Sequence, residues 1–151
     1  MATEKIQVST VLPATPKDIY EAWLDSKKHS AFTGAGATAQ PKVGGRHTAW
    51  DGYIHGWTLE LESGKRIVQS WRTTEFKPED VDSVIDVKLA KAKGGTKVTL
   101  SHTDIPAGQG AQYEQGWQDH YFRPMGDYFL AKVSRAKKKP AKKGAKKGGK
   151  K

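Results

Sequence analysis

Apolar and polar positions alternate from Lys5 to Leu12, with Ile6, Val8, Thr10 and Leu12 on one side and Lys5, Gln7, Ser9 and Val11 on the other. That period of two predicts a half-buried strand, which Pro13 ends. Thr15-Pro16-Lys17-Asp18 then reads as a helix start. Thr15 suits the N-cap, Pro16 the first turn and Asp18 the positive end of the helix dipole. Ile19, Ala22 and Trp23 fall on one helical face, and the helix is expected to end near Asp25. A second short helix is expected over Ser26–Phe32, followed by a Gly-, Ala- and Thr-rich loop from Thr33 to Gly45. From Arg46 the period changes to two again. Arg46–Trp50, Ile54–Leu61, Arg66–Phe76, Ser83–Lys91 and Thr96–Thr103 read as strands. They are joined at Asp51-Gly52, Ser63-Gly64, a Pro78 loop and Gly94-Gly95, residues that tight hairpins favour. Sequential hairpins make an antiparallel meander. Ala111–Ala136 returns to helical spacing, with Tyr113, Trp117, Tyr121 or His120, Tyr128, Leu130 and Val133 near one stripe. Pro124 is expected to kink this helix or to begin its second half. The pattern predicts an α+β domain: one strand, two short helices, five strands and a long C-terminal helix. That last helix is the element long enough to cover one face of the sheet.

The net charge changes this picture at one end. The chain of 151 residues carries 26 Lys and Arg against 16 Asp and Glu. From Arg135 onward there are one Arg and nine Lys and no acid; subtracting these ten leaves 16 basic residues, equal to the 16 acidic ones. The division is therefore a formally neutral domain, residues 1–134, and a lysine-rich tail, residues 135–151, expected to be disordered because it cannot bury a core and its charges repel. A formally neutral body argues against a large basic binding face on the fold. In the tail, Lys137, Lys138, Lys139, Lys142, Lys143, Lys146, Lys147, Lys150 and Lys151 recur with Ala, Gly and Pro between them, a spacing that resembles linker-histone tails. Such lysines attach to nucleic acid by displacing condensed counterions, without sequence preference. No aromatic is interleaved, so base stacking is not expected there. An anionic membrane surface would attract the tail by the same charge, and a solubilising role needs no partner at all. There is no Cys, so disulfides, thiolate metal sites and a cysteine nucleophile are excluded. No run approaches the length of a transmembrane segment and no signal core opens the chain, so a cytoplasmic protein is expected.

Several residues carry a resemblance. In the first helix they are Pro16 and Tyr20-Glu21-Ala22-Trp23, followed by Phe32-Thr33-Gly34, Val43-Gly44-Gly45 and Gly56 before Leu59-Glu60-Leu61. The most specific stretch is Lys65-Arg66-Ile67-Val68-Gln69-Ser70-Trp71-Arg72. Gly95-Thr96, Pro106, Gly116-Trp117, His120-Tyr121-Phe122, Pro124 and Tyr128-Phe129 complete the set. In this order, over about residues 3 to 134, the chain resembles the helix-grip superfamily of START domains and the major birch pollen allergen. Within it, the match is to the family named for the activator of the ninety-kilodalton heat-shock protein's ATPase. The resemblance implies a curved sheet of about six strands gripping the C-terminal helix, a cavity between helix and sheet, and a co-chaperone-like or stress-related role.

Two roles are open to Trp23, Trp50, Trp57, Trp71 and Trp117: filling the core, or lining that cavity beside a few polar groups. His55, Trp57 and Leu59 share one face of their strand and Ile67, Gln69 and Trp71 one face of the next; the sequence does not say which faces point inward. The candidate cavity residues are Trp57, Trp71, His102, Trp117 and His120. Ser101, His102 and Asp104 invite a triad reading, but Ser101 and His102 diverge on a strand, and no G-x-S-x-G elbow exists. The five histidines show no helical H-x-x-x-H pair, so no metal or other cofactor is expected. Gly34-Ala35-Gly36 lacks the strand and helix of a dinucleotide fingerprint. Arg72 is expected to pair with Glu60 across the hairpin. Three functions are carried forward. The first is a non-enzymatic domain that binds an apolar small molecule or a heat-shock chaperone, with the tail as a polyanion tether. The second is a nucleic-acid-associated protein acting through the tail. The third is an enzyme using the cavity.

Overall fold

The computed structural model describes residues 3–138, with side chains to residue 133. The tail residues from Lys139 onward lie outside the described residues. Strand β1 is Thr3–Leu12, helix α1 Pro16–Trp23 and helix α2 Ser26–Thr33. Strands β2 (Arg46–Ala49), β3 (Ile54–Glu62), β4 (Arg66–Thr73), β5 (Ser83–Ala92) and β6 (Gly95–Pro106) follow. Helix α3 (Gly110–Gly116) runs through a π-helical stretch, Trp117–Phe122, into α4 (Arg123–Lys138). The helical backbone thus continues past residue 134, where the tail was expected to begin.

The expected cap at Thr15 is present, and the structure adds two more at the ends of α2. Thr15 Oγ1 accepts the Asp18 N–H at 3.1 Å, and Asp25 Oδ1 accepts the Lys28 N–H at 2.9 Å. Gly34 closes α2 in the left-handed region, φ 81°. The six strands form one antiparallel sheet in the order β1-β6-β5-β4-β3-β2. At Gly95, φ is 146° and a Cβ would run into the Leu12 carbonyl oxygen, so glycine alone lets β6 start against the end of β1. Glu4 pins the far end: its carboxylate accepts the Gly108 and Gly110 N–H groups at the start of α3, which holds its pKa below the ordinary value.

The C-terminal helix corrects one expectation. A regular helix through Tyr113 and Trp117 would bury Tyr128 and Leu130. Instead the buried stripe is Tyr113, Trp117, Tyr121, Met125 and Phe129, and Leu130 is 55% exposed. The interval has become four residues. Pro124 has no N–H to give the carbonyl four residues back, and the preceding turn widens to i→i+5 bonding. Wider turns retard the rotation by about one residue, so the stripe passes from Tyr128 to Phe129. No described helix is long and apolar enough to cross a membrane.

Candidate functional site

The concave face of the sheet and the C-terminal helix enclose a layer of aromatic side chains. Trp117 lies at its centre, with ring centroids 4.8 Å from Tyr121, 5.5 Å from Trp71 and 6.2 Å from Trp23. Every residue of β4 from Ile67 to Trp71 is buried, and contacts settle which face meets the helix: Trp71 packs on Trp117, and Gln69 reaches Trp23. Gln69 is held there by two bonds, accepting from Trp23 Nε1 at 3.0 Å and donating to Thr58 Oγ1 at 3.2 Å.

His102 sits beneath this layer and is fully buried. An indole N–H can only donate, so the 3.1 Å bond from Trp117 Nε1 makes Nδ1 of His102 an acceptor. Its proton is then on Nε2 and is given to Ser83 Oγ at 2.8 Å; Ser83 in turn donates to the Trp71 carbonyl at 2.5 Å. Both ring nitrogens are used, and burial lowers the pKa to about 3. His102 is a neutral structural strut. The triad reading fails on geometry: Ser101 faces the other way and bonds Gln7, and Asp104 is exposed at φ 60°, beside an irregularity in the β1–β6 register.

His29 is equally committed. It donates from Nδ1 to the Trp23 carbonyl and accepts the Tyr121 hydroxyl at Nε2, each at 2.9 Å. Burial lowers its pKa to about 4 against the opposing carbonyl bond. His47 donates to the Ser70 carbonyl at 2.8 Å, and burial likewise lowers it to about 4.

Beside this core is a cleft of about 470 Å³, at the end of the sheet where β3 begins and β4 ends. Trp50, Tyr53 and Trp71 form one wall; Tyr113, Gly116, Trp117 and His120 form the other. Trp50 and Asp51 adopt φ 53° and 57°, a conformation that costs bulky residues about 1–3 kcal/mol each. The turn is held because Asp51 Oδ1 accepts the Gly36 N–H at 2.8 Å, where a Cβ on Gly36 would collide with that oxygen. The Gly34–Gly36 loop therefore spends its amide on Asp51. The indole of Trp50 meets the His120 ring edge-on at 5.5 Å, and its Nε1–H finds no acceptor among the described residues. Most other polar groups of the cleft are paired: Gln112 with Glu75 at 2.9 Å, Gln115 with Asp119 at 3.0 Å, and Tyr113 with Thr73 at 2.8 Å. Burial pushes the Tyr113 and Tyr121 hydroxyls upward, so neither ionises near neutrality.

Of the five candidate cavity residues, the structure brings Trp71, Trp117 and His120 to the cleft wall and puts His102 behind them. Trp57 is not there. It is 47% exposed on the outer face of β3, with the Arg46 guanidinium 5.4 Å from its ring, because Thr58 takes the inward position opposite Gln69. Trp50 and Tyr53 were missed as candidates. Their turn carries a Gly signal, but nothing in the sequence marks a Trp with positive φ. Arg72 does not meet Glu60. The register puts Arg72 opposite His55, and it pairs with Asp82 at 2.7 Å, while Glu60 pairs with Arg66 at 3.0 Å. Among the described residues no group of three or more potential metal ligands gathers.

The chain matches the family described as Activator of Hsp90 ATPase homolog 1-like protein over residues 13–129. It is 29% identical over 127 residues to the human activator of 90 kDa heat shock protein ATPase homolog 1, covering 84% of this chain and 37% of that protein. It thus spans little more than a third of that relative's length. A crystal structure of an HSP90 activator from Plasmodium falciparum superimposes with a TM-score of 0.75 at 23% identity, covering 84% of this chain and 96% of that one. The solution structure of the Aha1 dimer from Colwellia psychrerythraea gives 0.63 at 16% identity, covering 88% and 95%. These two likenesses are of fold.

Proposed function

Because this chain belongs to the Activator of Hsp90 ATPase homolog 1-like family, we propose that it is a non-enzymatic, co-chaperone-like binding domain, working in the cytoplasm with a heat-shock chaperone, whose cleft takes an apolar small molecule. The observation that carries this reading is the cleft. Its walls are aromatic, and Trp50 Nε1–H is a donor without a partner. A concave, mostly aromatic surface with one or two unspent polar groups binds flat apolar molecules bearing a hydrogen-bond acceptor. Among the described residues no catalytic pair gathers beside it: His29 and His102 are neutral and bonded at both ring nitrogens, His47 is bonded at Nε2, the tyrosines are pushed upward, Asp119 already holds Arg123 at 3.4 Å, and His120 on the wall bonds no carboxylate. General acid–base chemistry needs a group free to exchange a proton at working pH.

A variant that fills the cleft tests this. Gly116 lies on its wall, and a Cβ there meets nothing closer than His120 Cδ2 at 3.9 Å. Gly116→Leu is expected to keep the fold and to weaken binding of the flavanone naringenin at least tenfold by calorimetry, about 1.4 kcal/mol. Equal binding by the variant, or none by the parent chain, refutes the cleft as the site.

A further inference from the structure

The charge around the aromatic cleft is one-sided. Among the described residues that line it, Asp119 is the one carboxylate, and no Lys or Arg is present. Glu75 stands at the rim: its carboxylate accepts the Tyr53 hydroxyl and a side-chain N–H of Gln112, and both of those residues line the cleft. The two connections that frame this end of the sheet continue the pattern. Residues 50–53 and 74–82 carry Asp51, Glu75, Glu79, Asp80 and Asp82 against a single base, Lys77. Arg72, near the end of β4, is already held by Asp82 at 2.7 Å. Arg123 lies one helical turn past Asp119, but its side chain is 71% exposed, and a solvated pair at 3.4 Å offsets little of the carboxylate's charge. The field in the cleft is therefore negative, and its apolar walls focus that field. The rings add to it. Trp50, Tyr53, Trp71, Tyr113 and Trp117 line the space, with 80° between Trp71 and Tyr113 and 41° between Trp71 and Trp117. Rings tilted in this way surround the space instead of stacking flat, and an aromatic face carries the negative part of the ring quadrupole.

We propose that the ligand of the cleft is an organic cation, a flat apolar body carrying an alkylated ammonium nitrogen. This assignment, which rests on the cleft reading above, adds a sign of charge to it. The body packs against the rings, as any apolar molecule of that shape would. The nitrogen lies towards the mouth, in the field of Asp119 and Glu75, where cation–π attraction and the two carboxylates act together. An alkylated nitrogen is favoured over a primary amine because the carboxylates already accept bonds from Tyr53, Gln112 and Gln115, and a quaternary centre asks for no acceptor of its own. The Trp50 Nε1–H, unspent among the described residues, is left for an oxygen on the body. A carboxylate ligand meets the reverse: like charge at the rim, and no Lys or Arg on the described walls to pair with it.

Two probes of one shape and opposite charge test this on the full chain by calorimetry: naphthylmethyl-trimethylammonium and naphthylacetate, with naringenin as the neutral reference. The cation is expected to bind about tenfold more tightly than the anion, or better. Gly116→Leu is expected to weaken the cation as it weakens naringenin. The variant E75Q/D119N removes both charges and keeps side chains that still accept hydrogen bonds. It is expected to reduce the ratio of cation to anion affinity about threefold. Naphthylacetate bound as tightly as the ammonium, with naringenin also bound, would overturn the sign of charge and leave the cleft reading standing. Ammonium binding indifferent to Gly116→Leu would place the probe on the acidic surface outside the cleft and overturn the assignment. So would a ratio unchanged in E75Q/D119N. Binding of none of the three would remove the cleft as a site, and the cation with it.

Discussion

Lowering the pH from about 7.5 to about 5 is expected to remove on the order of 6 kcal/mol of stability, close to the whole margin of an ordinary domain. The cause is three buried imidazoles. Burial lowers His29 and His47 from 6.5 to about 4 and His102 to about 3. The unfolded chain takes up these protons first, so it binds more protons than the folded one throughout the interval. Stability is therefore complete above pH 6.5 and is lost as the pH falls towards the folded values. Each group contributes a slope of about 1.4 kcal/mol per pH unit, and three together about 4. Glu4 adds to the loss only at lower pH, because its folded pKa lies below its ordinary 4.5. Urea unfolding measured at half-unit pH steps reads this directly. The midpoint is expected to collapse between about pH 6 and pH 5, and the His29→Gln variant to show a slope shallower by about one proton. A midpoint constant across that interval would mean that these imidazoles are solvated.

Trp117→Ala is expected to cost about 5 kcal/mol. Removing a buried aromatic of this size costs about 3–5 kcal/mol through lost transfer energy and the cavity left behind. Here the void would open between Trp23, Trp71 and Tyr121, rings already held by their own elements and poorly able to collapse. A second cost comes from His102, whose Nδ1 would lose its donor; a buried unsatisfied polar atom costs about 1–3 kcal/mol. Trp117→Phe separates the two, since it keeps most of the ring area and loses the N–H. It is expected to show mainly the smaller cost. Chemical denaturation at neutral pH measures both. If Trp117→Ala proved as mild as Trp117→Phe, the helix would not be gripped at this point.

Much of the fold was legible because each element states its own boundaries. Thr15 supplies a cap, glycines mark the hairpins, and the period switches cleanly at Arg46. The family resemblance added the curvature and the grip, which periodicity alone does not give. Two things were not legible. The phase of the C-terminal helix depends on how the backbone answers Pro124, and a kink, a break and a widened turn leave the same trace in the sequence. The facing of β3 is set by its register with β4, in which Thr58 stands opposite Gln69 and alternation leaves Trp57 outside; the sequence does not state that register. That is why one of the five candidate cavity residues lies on the outer face; Trp50, held by a turn with three successive positive φ values, reads in the sequence as the end of a strand and was not among the candidates.

The indole N–H resonances of the five tryptophans offer the most direct test of the cleft, followed by 1H–15N correlation spectra while naringenin is added. Trp50, Trp71 and Trp117 are predicted to shift together, Trp50 the furthest downfield as its unspent proton gains an acceptor, while Trp57 stays in place. Movement of Trp57 with the other three unmoved would contradict the account.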